Sequence, residues 1–226
     1  FIETYGASEG FFAFQNDLDD SSLLLHLNNG VFYEFVSMRE YGTDNPTRHT
    51  IDTVETGVRY ALYTTSYSGL WSYDVGDVVR FTSREPYKIE VAGRTSEMID
   101  KFGEAIYADE VRAALRKACD ATGAEFDHYH VAPAPMRKEE PVHHEWIIEF
   151  DTPPRSLEEF RDTIDEHLDE INRHYHIRRQ SRGVGPPVIR DVPEGTFYAW
   201  LKASNDYISG QTKVPRMRAE RTVADA

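Results

Sequence analysis

The sequence predicts a mixed α/β fold of the α+β kind, with a β-rich first part followed by a smaller module of helices and strands. In the first part, short β-branched or aromatic runs between residues 22 and 93 are separated by turn residues, namely SLLLHL, VFYEFVSM, VRYALYTT, DVVRF and YKIEVAG. After Gly93 helical spacing alternates with strand patterns. We therefore predict two domains, residues 1–95 and 96–226, with the boundary near the segment 94–100.

The first predicted helix follows this boundary. Asp109 is a candidate cap, Val111, Leu115 and Ala118 repeat at helical spacing, and Gly123 stands just past the predicted end. The runs FDHYHVA and EWIIEF then predict two strands, and APAPMRKEEP (132–141) predicts the hairpin loop between them.

A second helix is predicted in SLEEFRDTIDEHLDEIN. Ser156 and Glu159 form the pattern of a capping box at its start. Its apolar positions all fall on one helical face, namely Leu157, Phe160, Ile164, Leu168 and Ile171. The segment RRQSRGVGPP that follows predicts a connector.

Composition and charge exclude several function classes. The 226 residues are 40% hydrophobic and 12% aromatic, which suffices for a core, and 39 acidic against 25 basic residues give a net charge of −14. We expect no nucleic-acid partner and no membrane partner, because both carry negative charge. No apolar run approaches the roughly 20 residues needed to cross a bilayer. Nothing suggests an obligate partner, so we expect a monomer.

The single cysteine, Cys119, excludes an internal disulfide and any site built from several cysteines. This usage fits a reducing compartment, so we predict a cytoplasmic protein. The first residues, Phe1-Ile2-Glu3, are neither a basic leader nor an initiating methionine. The sequence is therefore interpreted as a fragment of a longer chain.

Four stretches contain residues suited to chemistry: YGASEG (5–10), SGLWSYDVGDVVRF (68–81), VAGRTSEMIDKFGEAIYADEV (91–111) and SGQTKVPRM (209–217). Each is a weak signal alone. YGASEG could be an ordinary hairpin turn, Asp77 an ordinary turn residue, and Lys213 a solvated surface charge. Their order is more specific. Together they resemble the carboxyl-terminal portion of an adenylate-forming enzyme, and most closely the auxin-responsive acyl-acid-amido synthetase family and its bacterial homologues.

The resemblance rests on the order of motifs. In that superfamily an aromatic-Gly-x-Ser/Thr-Glu turn holds the nucleotide, a Tyr-x-x-Gly-Asp turn holds the ribose, and a Gly-Arg segment precedes the hinge to a mobile lid; YGASEG, YDVGD and AGR match these in order. The stretches GPPVIRDVPEGTFYAWL, GQTKVPRM and KFGEAIYADEV are similar to those of the amido synthetases. The resemblance implies the β-rich end of an adenylate-forming large domain followed by a small α+β lid domain.

The first motif would hold the nucleotide. By resemblance, Tyr5 stacks on adenine, Gly6 and Ala7 let the backbone approach the nucleotide, and Ser8 contacts the α-phosphate. Glu9 would hold Mg²⁺, a hard ion that prefers carboxylate oxygen.

The other site residues come from later motifs. Asp77 would accept hydrogen bonds from both ribose hydroxyls. Arg94 would touch phosphate or ribose, although an arginine at a strand end also suits a surface salt bridge. Lys213, carried by the lid, would bridge the α-phosphate and the substrate carboxylate as a compact point charge.

The implied reaction has two steps. A small carboxylic acid and MgATP give an acyl-adenylate and pyrophosphate, and the amine of an amino acid then attacks the acyl carbon to form an amide. Two alternatives remain open: an acyl- or aryl-CoA ligase, which shares the first three motifs, and a non-catalytic binding or regulatory module.

This sequence also departs from the family pattern. The Ser/Thr/Gly-rich loop that wraps the outer phosphates would lie upstream of YGASEG, and TTSYSG (64–69) lacks the glycines and lysine needed to replace it. We therefore predict that the 226-residue chain alone cannot complete adenylation.

Histidines and arginines form two further groups. His128, His130, His143, His144, His174 and His176 could suggest zinc, but their spacings match no common site and no cysteine accompanies them, so plain surface residues are favoured. The second group is a cluster of arginines. We expect them to pair with the acidic face of their own helix and not to bind nucleic acid, because the overall charge is negative; they are Arg173, Arg178, Arg179 and Arg182.

Overall fold

The structure, a computed structural model, describes residues 1–135, 141–204 and 212–226. The strands in that part of the chain are β1 Thr4–Ala7, β2 Gly10–Phe14, β3 Leu23–Leu25, β4 Val31–Ser37, β5 Arg59–Ser66, β6 Tyr73–Arg84, β7 Tyr87–Arg94, β8 Met98–Ile99, β9 Ile106–Tyr107, β10 Glu125–Pro133, β11 His144–Thr152 and β12 Val188–Asp191. The helices there are α1 Ala108–Thr122, α2 Leu157–Ile171, α3 Arg173–Gln180 and α4 Thr196–Ser204. The predicted mixed α+β class is confirmed.

The chain divides into two compact units, Phe1–Thr95 and Ser96–Ala226. The first unit is built on one seven-stranded antiparallel sheet in the order β1-β2-β3-β7-β6-β5-β4. Its core is aromatic: the rings of Phe35 and Phe81 are fully buried and meet edge to face with centroids 5.0 Å apart.

This sheet is strongly curled. Three strands separate β1 from β6, so at about 4.8 Å per strand step a flat sheet would hold them roughly 19 Å apart. The hydroxyl of Tyr5 on β1 nevertheless lies 2.7 Å from a carboxylate oxygen of Asp77 on β6. Register shifts in three strand pairs, including one at Tyr5/Gly6, add local bends to the normal twist.

The second unit has a three-stranded sheet with apolar side chains on both faces. The β10–β11 pair is antiparallel and the β11–β12 pair is parallel. One face, with Val131 and Trp146, belongs to the core that α1 and α2 complete. The opposite face, with Ala132 and Ile147, packs on Phe197 of α4. Alternation along each strand therefore places helices on both faces.

The predicted helix ends are partly confirmed. Gly123 ends α1 with a positive φ of 74°, and the Ser156 hydroxyl accepts from the Glu159 amide at the start of α2. The assignment of Asp109 as the α1 cap is wrong: the extended residue before the helix is Tyr107, whose N–H donates to the Glu110 carboxylate. Asp109 lies inside the first turn.

The apolar face of α2 is shorter than predicted. Phe160, Ile164 and Leu168 are fully buried, but Leu157 and Ile171 are 45% and 42% exposed. Periodicity places all five on one face, whereas only the middle turns of the helix pack into the core.

The RRQSRGVGPP segment is not wholly a connector, because its first three residues belong to α3. The predicted pairing of its arginines is also corrected. Arg179 forms a two-pronged ion pair with Asp165 of the preceding helix, at 2.8 and 2.6 Å. α2 and α3 are separate helices, so the acidic partner lies on the neighbour. The antiparallel pairing of β10 with β11 confirms the predicted hairpin, but the first two residues of APAPMRKEEP, Ala132 and Pro133, belong to β10 and not to the loop. Residues 136–140 lie outside the described part.

The junction between α2 and α3 is held by a buried asparagine, Asn172. Its side-chain oxygen accepts from the backbone amides of His174 and Tyr175. Its side-chain nitrogen donates to the carbonyl of Ala105 and to the Glu110 carboxylate, at 3.0 and 2.8 Å. One side chain thus ties α3, α1 and the segment before α1 together.

Substitution Asn172→Ala is expected to lower the free energy of unfolding of the chain by about 2–4 kcal/mol. About 1 kcal/mol comes from the lost helix cap, and the rest from buried groups left without a donor. Urea denaturation measures the loss. Asn172→Ser, which keeps a capping oxygen but removes the amide donor, should retain part of the stability. Wild-type stability of the alanine variant would contradict this account.

None of the helices in the described residues is long and apolar enough to cross a membrane.

Candidate functional site

The YGASEG stretch is the tip of the β1–β2 hairpin. Tyr5, Gly6 and Ala7 lie on β1, Ser8 and Glu9 form the two-residue turn, and Ala7 pairs with Gly10. A Cβ on Gly6 would stand 3.4 Å from the carbonyl oxygen of Gly10, which is close to an ordinary van der Waals contact. Hairpin geometry and a nucleotide role are compatible, because the turn leaves the Ser8 and Glu9 side chains at its tip.

The centre of the candidate site is Asp77, which the curled sheet brings next to residues from two other motifs. The Tyr5 hydroxyl donates to Asp77 Oδ2 at 2.7 Å, and Arg94 Nε lies 2.9 Å from Asp77 Oδ1. Asp77 and Tyr5 are only 6% and 8% exposed, whereas the Arg94 side chain is 57% exposed. The structure thus joins the first three predicted motifs in one hydrogen-bonded group.

The electrostatics of this group follow from its burial. Burial raises the pKa of Asp77, while the hydrogen bond from Tyr5 and the charge of Arg94 oppose that rise. Burial, and then the neighbouring Asp77 carboxylate, raise the pKa of Tyr5 far above its usual range. Tyr5 therefore remains a protonated donor, and each Asp77 oxygen keeps a lone pair for a further donor.

Asp74 is a residue that the sequence reasoning did not assign. Its carboxylate accepts from the Gly76 amide at 2.8 Å and from the Tyr41 hydroxyl at 2.9 Å. Gly76 has a φ of +78°, which favours glycine, and its carbonyl accepts from the Thr95 amide. Asp74 therefore fixes the bend that carries Asp77. The sequence signal that could have identified Asp74 is that YDVGD contains a carboxylate besides Asp77.

The structure describes no group of three or more histidine, cysteine, aspartate or glutamate side chains placed to hold a metal. Mg²⁺ bound through one carboxylate, nucleotide phosphates and water does not need such a group. Glu9 as the magnesium ligand stays a prediction. Its negative charge helps to raise the pKa of Tyr5 and the pKa of Asp77.

Lys213 belongs to the second unit, where its side chain is exposed. The residues after it run beside β10: the Val131 amide donates to the Arg216 carbonyl and the Arg218 amide donates back to the Val131 carbonyl. The first part of SGQTKVPRM, residues 209–211, lies outside the described residues. The role of Lys213 at the nucleotide stays a prediction.

The prediction that the histidines are plain surface residues is wrong for two of them. His130 and His144 are 0% and 1% exposed, because they lie on strands covered by other elements. His144 Nε2 lies 2.8 Å from Oε1 of Glu104, itself fully buried, so this pair is part of the interior.

The GTF residues, 195–197, contact a carboxylate from another element, which sequence reasoning missed. The buried Glu149 side chain accepts from the backbone amides of Gly195 and Phe197, at 2.7 and 3.1 Å. A carboxylate at a helix start satisfies free amides and favours the helix dipole. The GTF residues therefore serve here to start α4 against the sheet.

Comparison with known proteins relates both units to one family. Residues 24–94 match the GH3 family central domain, and residues 109–222 match the GH3 family C-terminal domain. A putative indole-3-acetic acid-amido synthetase, GH3.9 of Arabidopsis thaliana, is 27% identical over 191 residues, which cover 76% of this chain and 32% of that protein. The chain thus spans about a third of the length of this relative.

Solved structures share the fold. The GH3.15 acyl acid amido synthetase superposes with a TM-score of 0.73 at 22% identity, over 98% of this chain and 42% of that one. A 2-hydroxyisobutyryl-CoA ligase in complex with R3-HIB-AMP gives 0.57 at 14% identity, over 98% and 43%. The fold is that of adenylate-forming enzymes, and the predicted resemblance is confirmed: the chain belongs to the GH3 family.

Proposed function

We propose that this chain is the carboxyl-terminal portion of an acyl-acid-amido synthetase. The full-length enzyme would use ATP to adenylate a small carboxylic acid and would then transfer the acyl group to the amine of an amino acid. Residues 1–95 would form the end of the large domain, and residues 96–226 would form the mobile lid. The length of the GH3 relative supports a longer protein.

The observation that carries the proposal is the Tyr5–Asp77–Arg94 group. A buried carboxylate held by a tyrosine and an exposed arginine suits the two hydroxyls of a ribose. Arg94, directed to solvent beside it, would contact phosphate or ribose. Tyr5, predicted to stack on adenine, is only 8% exposed and packs on Phe12, so we assign it instead to orienting Asp77. We assign backbone approach to Gly6 and Ala7, and the α-phosphate contact to Ser8.

Charge must be neutralised as the acid attacks the α-phosphate. We assign this task to Mg²⁺, held by Glu9, and to Lys213, which would bridge the α-phosphate and the acid carboxylate. No nucleophile from the protein is required, because the adenylate is already activated. The loop for the outer phosphates would lie in the upstream part of the full-length protein. We further propose a cytoplasmic monomer without nucleic-acid or membrane partners.

The nearest alternative is an acyl- or aryl-CoA ligase, and one structural comparison supports it. A CoA ligase shares the fold over 98% of the chain, so the fold does not distinguish an amine from a thiol. The matches to both GH3 domains favour the amine.

Pyrophosphate release by the full-length protein tests the proposal. With MgATP and a panel of carboxylic acids, we expect release that depends on one class of acid and is accelerated by an amino acid. Acceleration by coenzyme A instead would select the ligase. Absence of release with every acid would favour a non-catalytic module. In the same assay the 226-residue chain alone should form no acyl-adenylate, and formation would contradict the need for the upstream loop.

A further inference from the structure

His130 is a fully buried histidine that contacts the segment carrying Lys213. Its Nδ1 lies 2.6 Å from the carbonyl oxygen of Pro215, 85 positions away in the sequence. A carbonyl oxygen only accepts hydrogen bonds, so Nδ1 must carry the proton and donate it.

The other ring nitrogen fixes the charge of this side chain. Nε2 of His130 is buried, and no group in the described residues forms a hydrogen bond with it. Burial lowers the pKa of His130, the hydrogen bond to the Pro215 carbonyl opposes this, and the neighbouring charges of Arg218 and Arg221 lower it further, so the net shift is downward. At neutral pH the ring is therefore uncharged, with its one proton directed at Pro215.

The contact belongs to a small parallel pairing. The Val131 amide donates to the Arg216 carbonyl at 2.9 Å, the Arg218 amide donates to the Val131 carbonyl at 3.1 Å, and Val131 pairs with Met217. Met217 is 1% exposed and anchors the segment in the core. His130 adds a side-chain hydrogen bond at Pro215, on the Lys213 side of this pairing.

The restricted backbone between Pro215 and Lys213 limits how far Lys213 can move from the anchored segment. Pro215 has a fixed φ, and a residue before proline, here Val214, is restricted to extended conformations. Val214 also packs against the cluster that contains Phe197. Pro215, which carries the held carbonyl, lies two positions after Lys213, a span of about 7 Å.

We propose that His130 is a positioning residue for Lys213, holding the Pro215 carbonyl so that the ammonium group reaches the reacting phosphate and carboxylate. This inference rests on the proposed function. The neutral ring is suited to the task, because it donates one directed bond without adding to the positive charges of Arg218 and Arg221 nearby.

Two polar substitutions of similar size test it in the full-length protein. In asparagine the amide nitrogen is two bonds from Cβ, as Nδ1 is in histidine; in glutamine it is three bonds away, as Nε2 is. We expect His130→Asn to keep kcat for pyrophosphate release within about 3-fold, and His130→Gln to lower it about 10-fold to 100-fold, with KM for acid and ATP unchanged. Equal rates for the two variants would overturn the proposal.

A double-mutant cycle separates positioning from a general loss of stability. If His130 acts through Lys213, the Gln effect on kcat should disappear in a Lys213→Ala background. An undiminished effect there would overturn the proposal. Wild-type kcat in Lys213→Ala alone would refute the proposed role of Lys213 instead, so the two failures are distinguishable. Thermal midpoints of all variants report folding.

Discussion

Replacement of Lys213 by alanine in the full-length protein is expected to slow acid-dependent pyrophosphate release about 100-fold to 1000-fold, the usual effect of removing one group that stabilises transition-state charge. The loss should appear in kcat, because the lysine would contact the phosphate and carboxylate as they react. KM for the acid should change little, since the acid pocket would lie in the large domain.

A matched control for this variant is Lys202→Ala. Lys202 is also an exposed lysine of the second unit, and its Nζ lies 4.4 Å from the ring centre of Tyr198. Its removal deletes the same charge from the same unit and should leave the rate unchanged. Equal rates for Lys213→Ala and wild type would remove Lys213 from the mechanism, and equal losses in both variants would point to net charge.

Substitution Asp77→Asn is expected to raise KM for ATP about 30-fold to 100-fold. A hydrogen bond to a charged acceptor contributes about 1–1.4 kcal/mol more than a neutral one, and the carboxylate would accept two from the ribose. Asparagine keeps the shape and can still accept from Tyr5, but its NH2 group would replace the oxygen that pairs with Arg94, so the change removes the charge and one acceptor. Steady-state kinetics with varied ATP measures the effect.

The competing account of Asp77 is purely structural, because Tyr5 and Arg94 already contact both of its oxygens. On that account the variant would melt earlier while KM for ATP stayed at the wild-type value. Asp44→Asn, at an exposed position of the same unit, controls for the loss of one negative charge. A thermal melt with and without ATP separates the two accounts.

The elements predicted from sequence are those whose signals are local. Gly123 ends α1 and Ser156 caps α2 because turn and cap chemistry depends on a few neighbouring residues. The exposure of Leu157 and Ile171 could not be read from periodicity, because periodicity defines a face and not the length of the surface that covers it. The cap of α1 is Tyr107 and not Asp109, because the Tyr107 amide donates a hydrogen bond to the Glu110 carboxylate.

The candidate site divides in the same way. YGASEG, YDVGD and AGR were recognisable from their order, but the hydrogen bonds that join Tyr5, Asp77 and Arg94 depend on the curl of the sheet. The roles of Glu149 and His130 also escaped notice. Their partners, the Gly195 and Phe197 amides and the Pro215 carbonyl, are backbone groups far away in sequence, and any residue type supplies these.

The bond between Tyr5 and Asp77 joins residues 72 positions apart, and this separation governs when the site forms. Contacts between distant residues require the largest loss of chain entropy, so they follow the local hairpins during folding. The β5–β6 and β6–β7 pairs connect neighbouring segments and can form early. Because β2, β3 and β7 lie between β1 and β6 in the sheet, we expect β1 to reach β6 only after those strands have joined. The hydrogen bond to the central carboxylate is thus a late event in folding, and it reports completion of the whole first unit.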